Sequence, residues 1–317
     1  MKFAMAVTLA IAAILFAEAG RTAAAPVVVT SIKPVHSLVS AIMQGVGTPE
    51  LIVDGAASPH TYNLKPSNAR ALQNAKVVFW VGPGLEAFLE KPLEAIGSDA
   101  VVAELDKAPG LTKLKFREGG AFEPHDHGDH SDGDDHDGDG HDHGAFDTHL
   151  WLDPQNARAM AAEITTTLVA ADPANALTYQ ANAKALDDRL DALDKEITGI
   201  VSPVKDKPFI VFHDAYQYFE HRYHVRVAGS ITVSPETIPG AERIAEIHKK
   251  VGELGATCVF AEPQFQPRLI DVVIEGTKAK AGVLDPEAAT LDAGPDLYFN
   301  LMRGIANSMK DCLSRES

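Results

Sequence analysis

Short runs of β-branched and aromatic residues alternate along this chain with longer stretches whose apolar positions recur every three or four residues. The runs at 26–32 (PVVVTSI), 50–54 (ELIVD), 76–82 (KVVFWVG), 208–213 (PFIVFH), 257–262 (TCVFAE) and 282–285 (GVLD) are apolar without alternation. That pattern predicts strands buried on both faces, as in parallel sheets covered by helices. Between them, PSNARALQNA offers Ser67 as an N-cap, and GAERIAEIHKKVGELG ends on Gly255. Strand and helix alternate on both sides of the middle, which predicts an α/β fold of two lobes, each a mainly parallel sheet covered by helices.

The middle itself has helical periodicity. Asp172 stands as N-cap with Pro173 at the first helical position, and Leu186, Leu190, Leu193, Ile197 and Ile200 share one face before Pro203. The pattern predicts a helix over 173–201, roughly 42 Å long at ~1.5 Å per residue. A helix of that length can join a lobe at 26–172 to a lobe at 202–317 as one stiff strut. The same spacing also fits an ordinary long surface helix.

Composition narrows the functional classes. The chain has 317 residues and a hydrophobic fraction of 45%, enough for a sizeable core. A net charge of −16 argues against nucleic acid as a partner, because phosphate binding needs a basic surface. Residues 1–25 read as an export signal: Lys2, then an apolar stretch too short for a membrane span, then the small-residue sites AEA (17–19) and AAA (23–25). Cleavage is expected between 19 and 25, giving a periplasmic protein. In such an oxidising compartment the two cysteines, Cys258 and Cys312, read as one disulfide tying the C-terminal segment back.

One segment fits neither strand nor helix. Residues 123–143, within a loop spanning 119–147, hold six histidines (His125, His127, His130, His136, His141 and His143) among nine acidic residues. With no apolar residue to offset the cost of ordering, the segment is expected to be an exposed loop. Asp135, Asp137, Asp139 and Gly140 mimic the opening of an EF-hand, but Phe146 stands where the bidentate Glu is required. Interleaved imidazoles and carboxylates suit weak, interchangeable zinc binding, so an accessory collecting role is favoured over a passive linker.

Four further positions place a metal-ligand type just after a strand or in a short apolar segment: His60, His149, His213 and Asp285. Ligands of open α/β sheets bind beyond the carboxyl ends of the strands, which makes these positions candidates. Taken singly, each reads more readily as an ordinary, partly buried polar residue than as a ligand. Together with GAASPHTYNLKPSNARALQNAKVVFWVGPGLEAFLEK, DTHLWLDPQNA, FHDAYQYFEHRYHV, VFAEPQFQPRLI and GVLDPEA, they resemble the cluster A-I substrate-binding proteins, the soluble metal receptors of ABC importers. The resemblance runs in order over nearly the whole mature chain and is greatest to the periplasmic zinc receptors of that group.

The resemblance implies two lobes joined by the long helix, with one Zn2+ in the cleft as transported ligand. It carries His60, His149 and His213 over as donors and leaves the fourth position to Asp285 or a water. A Glu can precede the first His in such receptors; here that residue is Pro59, which has no donor. The partner implied is an ABC importer membrane permease, and the receptor is expected to act as a monomer. Three imidazoles favour zinc, whereas manganese or iron favours more oxygen donors. A manganese or iron receptor of the same group and a zinc buffer without a permease are the alternatives. An enzyme is not expected: HExxH, HxxEH and GxSxG are all absent, and Glu86 and Glu262 read as buried hydrogen-bonding carboxylates. His36 is read as structural, His221, His224 and His248 as exposed, and Trp80 and Trp151 as core or cleft wall.

Overall fold

The structure, a computed structural model, describes residues 25–96, 99–117, 122, 146–232, 239–255, 258–265 and 268–314. The export signal and the histidine run at 123–143 lie outside the described residues. Among those described, no helix is long and apolar enough to cross a membrane.

Two four-stranded parallel sheets organise the chain. The first holds β1 (Val28–Thr30), β2 (Glu50–Leu51), β3 (Val77–Trp80) and β4 (Val101–Glu104) in the order β2-β1-β3-β4. The second holds β5 (Pro208–His213), β6 (Arg226–Thr232), β7 (Cys258–Ala261) and β8 (Lys280–Val283) in the order β6-β5-β7-β8. The wiring is the same in both: each chain steps outward once, returns past its first strand, and continues to the other edge. The expected two-lobe α/β fold is thus what forms.

The first sheet is accompanied by α1 (Lys33–Ile42), α2 (Pro66–Asn74), α3 (Ala87–Ile96) and α4 (Pro154–Ala171). The second has α6 (Gln217–Tyr223), α7 (Ala241–Leu254), α8 (Arg268–Ile274) and α9 (Leu297–Leu313). Between them runs α5 (Ala176–Val201), preceded by a 3-10 turn at Pro173–Asn175. Asp172 does not cap it through a backbone N–H; its Oδ2 accepts instead from Asn175 Nδ2 at 2.7 Å and from the Tyr179 hydroxyl at 2.8 Å. Leu186, Leu190, Leu193 and Ile197 are buried along α5 as the periodicity predicts. Its polar face is bonded to both lobes: Asp187 and Asp191 take Arg158 of α4, Asp194 takes Arg222 of α6, and Glu196 takes Arg303 of α9.

Strand alternation explains why the second sheet is apolar on both faces. Phe209 and Val211 of β5, with Cys258 and Phe260 of β7, enter a large core shared with the first sheet, α5 and α9. Their neighbours Ile210, Phe212 and Val259 point the other way, into a smaller cluster with Ile231, Ile247, Val251, Ile270 and Val273. Beside Phe260, β8 carries Gly282, where a Cβ would stand 2.5 Å from the Phe260 ring. Cys258 and Cys312 form a disulfide that fastens β7 to α9.

Several boundaries differ from expectation. The edge strands β4 and β6 fall outside the expected runs: Val101 and Val102 of β4 are exposed, and β6 buries the small polar residues Ser230 and Thr232. The run at 282–285 begins two residues earlier, at Lys280. Ser67 is not the cap of α2, which starts at Pro66; Lys65 stands before it, and Asn68 Oδ1 accepts the Lys65 N–H at 3.1 Å. Gly255 does end α7, with φ 58 in the left-handed region.

Candidate metal centre

The carboxyl ends of the two sheets face each other, and three histidines converge between them. His213 is the last residue of β5, the strand at which the second sheet changes direction, where open α/β folds place their ligands. His60 lies in a 3-10 turn, Pro59–Thr61, after β2. His149 immediately precedes the turn Leu150–Leu152 that leads into α4. His149 Nε2 lies 3.3 Å from His60 Nε2 and 3.2 Å from His213 Nε2. All three donor atoms fit within 4.8 Å of one another, a group able to hold a metal ion.

Those separations have a chemical meaning. Bonds of ~2.0–2.1 Å at tetrahedral angles put neighbouring donors about 3.3–3.4 Å apart. Imidazole nitrogens at that distance with only lone pairs facing each other would repel, and a cation at the centre reverses the sign of the interaction.

Each buried imidazole is turned by a carboxylate. His149 donates from Nδ1 to Asp147 Oδ1 at 2.6 Å, and its backbone N–H reaches the same oxygen at 3.0 Å. His213 donates from Nδ1 to Glu262 at 2.7 Å. These bonds hold the proton on Nδ1 and leave Nε2 free as donor. The Glu262 contact follows from strand register: Ile210 of β5 lies opposite Val259 of β7, so three residues on, His213 stands beside Glu262. Asp147 and Glu262 are fully shielded and bring two negative charges against three imidazoles, which suits a dication.

Electrostatics divide the donors. Burial pushes the His60 imidazole well below the usual range, and the neighbouring His149 and His213 push it further. For His213 burial acts in the same direction, but the Glu262 carboxylate outweighs it and the imidazole sits above its ordinary value.

Asp285 stands apart from the three-histidine group. Its Oδ1 accepts from Gln264 Nε2 at 3.0 Å and from the Glu287 N–H at 3.2 Å. Glu86 accepts the backbone N–H groups of Val81 and Gly82 at 3.0 and 2.9 Å, and burial raises its carboxyl to about 7. Glu86 and Glu262 are therefore buried hydrogen-bonding carboxylates. Trp151 is fully buried and joins the lobes, donating to Pro286 O at 2.8 Å. His36 is buried against Pro49 O, and His221 and His224 are exposed. His248 is not exposed as expected: it is half-buried, with Nδ1 3.0 Å from Val273 O of α8. The orienting Asp147 escaped sequence reading, although an Asp two residues before a His, able to take that residue's own N–H, was its signal.

The chain matches the family model "ZnuA: Zinc-uptake complex component A periplasmic" over residues 28–312. It belongs to that family. It is 59% identical over 306 residues to the high-affinity zinc uptake system protein ZnuA of Brucella suis biovar 1 (strain 1330), covering 91% of this chain and 92% of the relative. The ZnuA of Yersinia pestis is 38% identical over 298 residues, with 92% of each chain covered. Among solved structures, one described as the crystal structure of ZnuA superposes with a TM-score of 0.75 at 25% identity, covering 92% of this chain and all of that one. The ZnuA family is one of periplasmic zinc-binding receptors.

Proposed function

We propose that this chain captures Zn2+ in the periplasm on His60, His149 and His213 and hands it to the membrane permease of an ABC importer. The supporting observation is the pair of Nε2 separations, 3.2 and 3.3 Å, which match the edge of a zinc tetrahedron. In this reading zinc is cargo, the fourth position is filled by a water or by Asp285 once its side chain moves toward the ion, and no reaction is catalysed. The receptor acts as a monomer, exported with cleavage of its signal between residues 19 and 25. Its lobes, 26–172 and 202–317, are held by the 173–201 helix so that only small movements accompany loading. The histidines of 123–143 collect zinc without forming the transported site.

Anomalous diffraction at the zinc edge, combined with calorimetry, tests the reading. One tight zinc per chain on the three imidazoles is expected, and it should survive deletion of 123–143. A tight ion elsewhere, or its loss in that deletion, sinks the assignment.

A further inference from the structure

His60 and His149 reach the centre from the first lobe and His213 from the second. The distances between donors therefore depend on what fixes the lobes to each other beside them. Besides the Trp151–Pro286 bond, one such contact is made by residues 112–117, which leave the first lobe and lie against α6 of the second. Thr112 is anchored by Asn156 of α4 through paired bonds of 2.8 and 3.0 Å. The Leu114 N–H donates to the Tyr218 hydroxyl at 3.1 Å, that hydroxyl donates to Asp147 O at 2.6 Å, and the Asp147 N–H returns to Leu114 O at 2.8 Å. Asp147 in turn holds His149.

Arg117 completes this contact. Its Nε donates to Asp214 Oδ2 at 3.0 Å, its Nη2 donates to Asp214 Oδ1, and its Nη1 donates to Glu220 Oε2 at 2.5 Å. The guanidinium lies 3.8 Å from the centre of the Phe122 ring. Asp214 is 3% exposed and follows His213 directly, while Glu220 belongs to α6. A planar fork is required here, because two parallel N–H bonds fix the carboxylate in orientation as well as position.

We propose that Arg117 is a positioning residue for the metal, a clasp between the lobes that sets where His213 stands relative to His149 and so limits the rate at which the ion leaves. Arg117 touches no metal. It acts through Asp214, one residue from His213, and through the Leu114–Asp147 pairing, two residues from His149. The proposal rests on the three-imidazole reading above.

Stopped-flow release of zinc from the full-length protein into excess chelator tests it. Arg117→Gln should release zinc about 10-fold faster, the low end of the range for lost partners of metal ligands, because Arg117 acts one residue further out. Arg117→Lys, which keeps the charge and loses the fork, should fall between it and the wild type. Glu220→Gln should accelerate release modestly and add nothing on top of Arg117→Gln. Arg303→Gln breaks a pair with Glu196 between α9 and α5, away from the site, and should leave release unchanged. Wild-type release in both Arg117 variants overturns the clasp, as does equal acceleration by Arg303→Gln, which would indicate general loosening. If Arg117→Gln fails to fold, Arg117→Lys decides by the same criteria. His213→Ala separates the two claims: if it keeps tight zinc, the three-imidazole reading falls, whatever the clasp variants show.

Discussion

The two sheets share one wiring and hold themselves together differently. The first lobe opens into a core that continues through α5 and α9, and its donors, His60 and His149, sit on loops. The second lobe splits its apolar residues between that shared core and a separate cluster of eight, and it presents one donor, His213, at the end of a central strand. A small outer core contributes less burial, and the second lobe alone carries a covalent tie, Cys258 to Cys312. In exchange its donor is placed by strand register, whereas the first lobe needs Asp147 to hold a loop histidine. Identical topology thus supports two ways of presenting an imidazole, one rigid by backbone and one by side-chain bonding.

The comparison is broken most forcefully at the disulfide. Its cysteines are 54 residues apart, and the loop-closure model gives about 4 kcal/mol for a ring of that size. Cys312→Ser should lower the unfolding free energy by up to that amount. Hydrogen exchange should increase in β7, β8 and α9 and stay unchanged in β1 and β3. Uniform loss of protection in both sheets would show that the lobes do not differ in this respect.

Removing donors comes next. Dividing an affinity of ~10–16 kcal/mol among four donors gives roughly 3 kcal/mol each, more than a hundredfold in Kd. His213→Ala should cost at least as much as His149→Ala, because it removes the one imidazole that the second lobe contributes to the three-histidine group. Zinc calorimetry measures both, and wild-type affinity in either variant excludes that residue as a donor.

The carboxylates that turn the imidazoles should matter less. Glu262→Gln and Asp147→Asn are each expected to weaken zinc about 10–100-fold. The amide can still accept from Nδ1 but no longer contributes charge. If the first lobe depends on side-chain bonding, Asp147→Asn should be the worse of the two, since Asp147 also holds the His149 backbone N–H. The reverse order would mean that strand register gives His213 no advantage.

How far these features can be read from sequence follows the same division. The central strands β1, β3, β5 and β7 stand out because both their faces are buried, and helix α5 because its buried leucines keep their spacing. β4 and β6 do not: β4 is a four-residue strand with Val101 and Val102 exposed, and β6 fills buried positions with Gly229, Ser230 and Thr232 instead of large apolar residues. The convergence of His60, His149 and His213 is not visible from spacing at all; it arises when two sheets turn their carboxyl ends toward each other. Glu262 is legible only once the β5–β7 register is known, and Arg117 only once 112–117 is seen against α6.

The smallest expected effect is also the most specific: His60 of the first lobe and His213 of the second should take up protons at different pH. An ordinary imidazole titrates near pH ~6.5. His60 is held below that value by burial, so the folded chain refuses a proton that the unfolded chain accepts, and its contribution becomes destabilising as pH falls below ~6.5. His213 is held above it by Glu262, against the pull of burial, so its contribution to stability is complete below ~6.5 and is lost as pH rises through the folded value. In the metal-free protein the proton should therefore enter at His213 before His60. Acid should accordingly take His213 from a loaded site before His60, because zinc requires an unprotonated Nε2. Imidazole 15N resonances followed by NMR across the titration resolve the order. Glu262→Gln should then lower the His213 midpoint, since burial is afterwards opposed only by the more weakly acting Asp147 and Asp214. An unchanged midpoint in that variant would mean that Glu262 orients His213 without setting its charge.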